Sequence, residues 1–169
     1  NAPFRAGKGH LYEGGVRVPF LVRWPGVTKA GATSDVPACS VDFLPTIAEM
    51  AGVRAVPRDV DGVSIAPALK GAPGVKREAL FWHYPHYSNQ GGGPGGAIRS
   101  GAYKLVEFFE DNRIELYNLK KDIAETKDLA AEMPDRAERM RKYLHQWRIQ
   151  VGAKMPTPNP DAPSGLNPQ

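Results

Sequence analysis

The 169-residue chain has a single cysteine, Cys39, which excludes an intrachain disulfide and any multi-cysteine zinc site. No apolar run approaches the roughly 18 residues that a membrane-spanning helix requires. Charge of one sign is also scarce. The 22 Lys+Arg exceed the 18 Asp+Glu by only 4, and they are scattered, whereas binding by counterion release needs a concentrated basic stripe. Neither a nucleic acid nor a membrane is therefore an expected partner. No secretory leader pattern and no internal repeat is visible. The chain opens on Asn1 rather than Met, which fits a processed, truncated or fragmentary chain.

The composition that remains is that of a folded protein. At 41% hydrophobic and 24% charged it lies near globular usage, which argues against wholesale disorder. The 18 glycines and 16 prolines predict many turns and irregular connections. Val16 to Trp24 alternates Val16, Val18, Phe20, Val22 and Trp24 on one face and reads as a strand. Pro19 removes a ladder donor and places that strand at a sheet margin or bend. Asp42 to Ala51 reads as a short helix with Asp42 as its cap, Pro45 in its first turn and Gly52 as a left-handed C-terminal cap. Its apolar face carries Phe43, Ile47 and Met50. Residues 53–77, with Pro57, Pro67 and Pro73, read as loop with one helical turn near Ile65–Leu69.

After residue 75 the character changes. Ala79–Tyr84, Ala97–Ser100, Tyr103–Phe109 and Ile114–Leu119 read as four short strands, with a hairpin turn at residues 110–113. Short connections favour an antiparallel sheet. In Pro134–Val151, Ala137, Met140, Leu144, Trp147 and Val151 recur at helical spacing, so one stripe should lie across the sheet. The expected organisation is α+β: a segment over 1–75, a sheet-plus-helix unit over 76–154 and an extended tail over 155–169.

Two stretches carry chemistry. Gly7-Lys8-Gly9 presents a lysine between residues without side chains, a compact positive charge suited to an oxyanion. It is no nucleotide P-loop, because Ala2 and Gly9 stand where that motif needs glycine and Ser or Thr. Alone, the triplet is a weak signal and fits a solvated turn lysine better. His10 beside it either touches a ligand or lies at the surface. Glu13 and Arg17 are spaced for an ion pair holding the turn into the next segment. The second stretch runs from Trp82 to Gly96: Trp-His-Tyr-Pro-His-Tyr, then a glycine-rich segment. Aromatic rings and imidazoles before a mobile glycine-rich loop suit stacking and hydrogen bonding to a sugar or aryl ring. His86, Tyr87 and Asn89 are the candidate rim contacts, with Trp82 and Tyr84 packing in a strand. His83 and His86 lack the further ligands a metal would need, so no metal site is assigned. Arg136, Arg139, Arg141, Lys142 and Arg148 read as a solvated helix face, given the interspersed Asp135 and Glu138.

The whole run Arg5-Ala6-Gly7-Lys8-Gly9-His10-Leu11-Tyr12-Glu13-Gly14-Gly15-Val16-Arg17-Val18-Pro19 resembles the second signature region of the sulfatases. Phe20–Gly26, Val41–Ile47 with Ala51-Gly52, and Asp61–Ser64 are similar to the strand, helix and loop that come after that region in the family. Ala97-Ile98-Arg99, Tyr103-Lys104-Leu105, Glu115–Leu119 and Asp122–Thr126 resemble its C-terminal sheet unit.

The resemblance implies the end of an alkaline-phosphatase-like α/β domain joined to a small antiparallel sheet. It implies an arylsulfatase-type, sulfuric ester hydrolase activity on a sulfated small molecule or glycan, with Lys8 as catalytic sulfate ligand; His10, His86, Tyr87 and Asn89 stay candidate substrate contacts read from the residues themselves. It also implies a formylglycine and a Ca²⁺ or Mg²⁺ ion held outside this chain. Cys39, with Ser40-Val41-Asp42-Phe43 after it, does not match the formylglycine motif, and Asn1 lacks the preceding Asp of a metal pair. The chain by itself is therefore expected to be inactive. A periplasmic or secreted location is the corresponding expectation. A phosphonate or phosphate ester hydrolase of the same superfamily, and a non-catalytic anion- or glycan-binding module, stay open as alternatives.

Overall fold

The computed structural model describes residues 1–53, 59–75, 77–157 and 159–160. Most of the tail expected over 155–169, and Pro57, lie outside them. The chain divides into two compact units, Asn1–Val18 with Phe81–Gln169, and Pro19–Leu80. The sequence placed the break near residue 75 and grouped the N-terminal stretch with residues 19–75. In the structure Asn1–Val18 belongs instead with the C-terminal unit, because polar side chains of this stretch are buried against the sheet.

That sheet has four strands in the order β1-β2-β3-β4: β1 Leu80–Tyr84, β2 Gly95–Ser100, β3 Tyr103–Phe108 and β4 Ile114–Asn118. The β2–β3 and β3–β4 pairs are antiparallel, with Ile98 opposite Leu105 and Leu105 opposite Leu116. Side chains alternate along a strand, so Ile98, Leu105, Leu116 and Glu107 share one face. Helix α4, Pro134–Gln150, lies across it against β2, β3 and β4. Ala137, Met140 and Leu144 are buried as the spacing predicted. Phe81 stacks on Trp147 at 4.8 Å between ring centroids.

The helix face read as solvated is only partly so. Arg148 is buried and donates to Glu107 Oε2 through Nη2, while Arg141 Nε donates to Glu107 Oε1 at 2.7 Å. His145 Nε2 lies 2.8 Å from the same oxygen. Arg136 sits over the Tyr103 ring at 4.0 Å. A charge inside an apolar face is tolerated only when paired, and Glu107 on β3 supplies that pairing. Lys142 remains exposed, beside Glu138.

In the smaller unit, a 3₁₀ turn at Ser40–Asp42 leads into α2, Phe43–Met50, and α3 spans Ala66–Leu69. Gly52 N–H donates to Glu49 C=O and Val53 N–H to Ala48 C=O, with Gly52 at φ +72°. This is the left-handed cap the sequence predicted. The apolar face of α2 is not its buried one: Phe43 and Ile47 are 43% and 62% exposed, while Asp42 and Thr46 are buried. Asp42 does not cap α2 through its side chain. Its carboxylate instead accepts the Cys39 and Val63 amides at 2.8 and 3.0 Å, and both Arg77 terminal nitrogens. Burial alone would raise the Asp42 pKa, but those donors outweigh it and hold the group below its usual range. Cys39 is half-buried and free.

Residues 17–24 form no strand. α1 covers Glu13–Val16, Pro19 can donate to no ladder, and among the described residues no strand pairs with the stretch. Val18 and Leu21 are 73% and 89% exposed.

Burial pushes the Glu107 carboxyl up, and the hydrogen bonds from Arg148, His145 and Arg141 more than reverse this, leaving its pKa below the ordinary 4.5. A depressed folded-state pKa stabilises above the unfolded value, and that stability is lost as pH falls through the folded one. Urea unfolding should therefore show stability dropping as pH falls below 4.5, with a smaller drop in Glu107→Ala. That variant, which strands Arg148, should lose about 3–5 kcal/mol at neutral pH.

Candidate functional site

Among the described residues no long helix covers the opposite face of the sheet; the N-terminal loop with the short α1 lies there. Ala97, Val106 and Tyr117 pack there with Tyr12 and Leu119, flanked by Leu11, Trp82 and Phe108. The same face carries buried charge. Lys104, 0% exposed, lies 3.0 Å from Glu13 Oε1 and 3.0 Å from Glu125 Oε1. Glu115 accepts the Tyr12 hydroxyl at 2.6 Å and the Tyr117 hydroxyl at 2.7 Å. Arg5 donates to the Tyr117 hydroxyl at 2.7 Å and lies over the Tyr12 ring at 3.9 Å. Burial, then the bonds to Glu115, push both tyrosine hydroxyls to higher pKa. Burial also raises Glu125, more than Lys104 and the Glu13 amide lower it. Arg17 does pair with Glu13, at 3.6 Å, but the dominant partner of that buried carboxylate is Lys104.

These contacts hold a loop whose tip is Gly7-Lys8-Gly9. Gly14 N–H donates to Arg5 C=O at 3.0 Å and His10 N–H to Gly7 C=O at 3.1 Å, closing the loop on itself. Gly9 takes φ +95°, a backbone conformation open chiefly to glycine. Against Gly9 and His10 sits the Ser88–Gly92 turn, so close that a Cβ on Gly92 would overlap the Gly9 carbonyl oxygen. Ser88 N–H donates to Gly92 C=O at 2.7 Å, and Gln90 N–H to Ser88 Oγ at 3.1 Å. The glycine-rich stretch expected to be mobile is thus a closed turn seated on the lysine loop, and its last two glycines open β2.

Between loop and turn lies a cleft of about 490 Å³. Lys8, His10 and Asn89 line it, together with Trp82, His83 and Tyr84 from β1 and Ser88 and Gln90 from the turn. Lys8 is exposed and makes no ion pair or hydrogen bond among the described residues. Its ammonium is therefore available to a ligand. A cation, an imidazole, amides and indole and phenol rings at one cleft suit an anionic ester on a hydroxyl-rich or cyclic group, whereas the His83 ring is engaged with the Lys154 carbonyl at 2.8 Å and with Phe109. His86 and Tyr87 lie outside the lining. His86 packs edge-on to Tyr84 at 5.6 Å, and Tyr87 donates to Glu110 Oε1 at 2.8 Å. The strand reading of Trp82 and Tyr84 missed that both also face the cleft. Lys104, Glu115 and Glu125 were not singled out; the available signal was a lysine and a glutamate inside otherwise apolar strand runs. Among the described residues no group of three or more His, Cys, Asp or Glu is placed to hold a metal, so these residues do not fit the divalent cation the resemblance implies.

The family model described as the C-terminal part of N-sulphoglucosamine sulphohydrolase matches residues 6–150. A sulfatase of Formosa agariphila is 37% identical over 96% of this chain and 34% of its own length. An N-acetylglucosamine-6-O-sulfatase of Bacteroides thetaiotaomicron is 32% identical over 85% of the chain and 27% of its own. A protein solved in complex with its substrate, D-glucosamine-2-N,6-O-disulfate, superposes with a TM-score of 0.65 at 31% identity, covering 77% of this chain and 28% of that one. The chain thus spans about a third or less of the length of these relatives, at the end of an alkaline-phosphatase-like fold. The long match across loop, sheet and helix means that the chain belongs to the sulfatase family, to its C-terminal region.

Proposed function

We propose that this chain forms the substrate-facing C-terminal part of a sulfuric ester hydrolase acting on a sulfated carbohydrate, with Lys8 as the sulfate ligand. The observation that carries this reading is the placement of Lys8: unpaired among the described residues, between two glycines, on the wall of a cleft whose other wall is aromatic and amide-bearing. The sulfatases that resemble the chain, two of them named or solved with aminosugar substrates, support a sugar over a simple aryl group. Sulfate-ester cleavage develops charge on the sulfuryl oxygens and the leaving oxygen. A fixed ammonium lowers that barrier because it needs no reorganisation as the charge develops. His10 and Asn89 would donate to sugar hydroxyls or sulfate oxygens, and Trp82 would offer a stacking face. His86 and Tyr87 would act only from outside this wall. The nucleophile and the divalent cation belong, in this proposal, to residues outside the chain.

In the polypeptide that carries this chain together with the catalytic portion its relatives possess, Lys8→Ala should lower turnover of a sulfated aminosugar by about 10²–10³-fold, with an unchanged melting temperature. Turnover at the wild-type level would remove Lys8 from the chemistry. Gly92→Ala should separate the two walls of the cleft by forcing the Ser88–Gly92 turn off Gly9. Its expected signature is a raised KM and altered amide shifts at Gly9 and His10, while α4 keeps its own.

A further inference from the structure

Glu125 touches both stems of the lysine loop. Its carboxylate Oε2 accepts the Glu13 amide at 2.6 Å, and its main-chain carbonyl accepts Arg5 Nη1 at 3.1 Å. Arg5 and Glu13 stand on either side of Lys8, and the Gly14-to-Arg5 bond joins the two stems. The other carboxylate oxygen is 3.0 Å from Lys104 on β3. Glu125 is fully buried, and its backbone is left-handed at φ +52°, an uncommon conformation for a residue with a side chain. No sequence pattern requires a glutamate there for the turn itself, since Asp122 already closes it by accepting the Thr126 and Lys127 amides at 2.8 and 2.9 Å.

We infer that Glu125 is a positioning residue: one side chain and its own carbonyl clamp both stems of the Gly7-Lys8-Gly9 loop to the sheet and thereby set where the Lys8 ammonium stands in the cleft. This rests on the reading of Lys8 as the sulfate ligand. The physical argument is one of degrees of freedom. A lysine has four rotatable side-chain bonds, and here it is flanked by two glycines. Its position is definite only if the backbone beneath it is held at both ends. Tyr12, bonded to Glu115, secures one stem from the side. Glu115 also meets both stems, at the Tyr12 hydroxyl and at Arg5 by an ion pair of 3.6 Å, but of Lys104, Glu115 and Glu125 it is Glu125 that accepts a stem main-chain amide, that of Glu13, as well as an Arg5 hydrogen bond. Lys104 fixes the direction of the Glu125 carboxylate and pairs with Glu13 in one stem.

The test combines two readouts on the sulfatase polypeptide containing this chain. The first is a double-mutant cycle. Glu125→Ala alone should lower kcat at least tenfold, and Glu125→Gln, which keeps an acceptor for the Glu13 amide, should lower it less. In a Lys8→Ala background Glu125→Ala should lower kcat no further, because it acts through Lys8. Equal fold-losses in both backgrounds would overturn the positioning role, since a residue needed only for stability would act identically in each. The second readout is amide hydrogen exchange. Exchange at His10, Glu13 and Gly14 should speed up in Glu125→Ala and not in Glu107→Ala, which loosens the other face of the sheet. Unaltered exchange at those amides in Glu125→Ala overturns the clamp whatever the kinetics do. A Lys8→Ala enzyme with full turnover would instead sink the functional reading and the catalytic part of the clamp with it, while the exchange result would still decide whether Glu125 holds the loop.

Discussion

An ammonium buried between two carboxylates organises this structure. Lys104 rises from the middle of β3 and meets Glu13 and Glu125, all three essentially closed to solvent. Leaving any one of them unpaired would cost several kcal/mol, about 3–5 for a buried ion pair broken at one end. The group therefore exists only when the N-terminal loop, β3 and the turn after β4 are assembled together. Glu13 and Lys104, 91 positions apart in the chain, become mutually dependent. A more apolar face would bind the loop less specifically, because hydrophobic contact tolerates sliding, whereas paired charges and the Tyr12–Glu115 bond admit one register.

The two faces of the sheet solve the same problem differently. On one, a helix supplies an apolar stripe, and a single buried carboxylate, Glu107, gathers Arg141, His145 and Arg148. On the other, an irregular loop supplies tyrosines and charges. The carboxylates at the two centres respond to burial with opposite net results. Glu107 has more donors than burial can offset and is held below its ordinary pKa, whereas Glu125, sharing one lysine with Glu13, is raised above it. A loop held in this way can be irregular and still definite, as a ligand-binding segment has to be. The glycines serve the same end: Gly9 and Gly92 allow two loops to touch through backbone, which brings the wall with Asn89 beside the wall with Lys8.

Much of this was legible in the residues. The strands from Leu80 onward, their antiparallel order, the hairpin at 110–113 and α4 arise from alternation, turn chemistry and helical spacing, and each of those signals is local. Lys8 was legible as well, since glycine on both sides of a lysine is unusual and the motif around it is long. The apolar alternation from Val16 to Trp24 was read as a strand and is not one here. A strand exists only through its partner's hydrogen bonds, and alternation names no partner. For the same reason α2 was given the right limits and the wrong buried face. Its apolar residues set a helix pattern, but Asp42 found Arg77 and two amides on the other side.

The sequence by itself determined the family signature, the element types of the C-terminal unit and the identity of the lysine that lines the cleft, because these are written in neighbouring residues. Only the tertiary structure decided that Asn1–Val18 belongs with the distant sheet, that Arg148 and Lys104 lie inside, and that Glu125 grips both sides of the lysine loop. Those outcomes depend on pairing between charges far apart along the chain. Whether a charged side chain is solvated or buried is settled by which opposite charge the fold brings within about 3 Å of it.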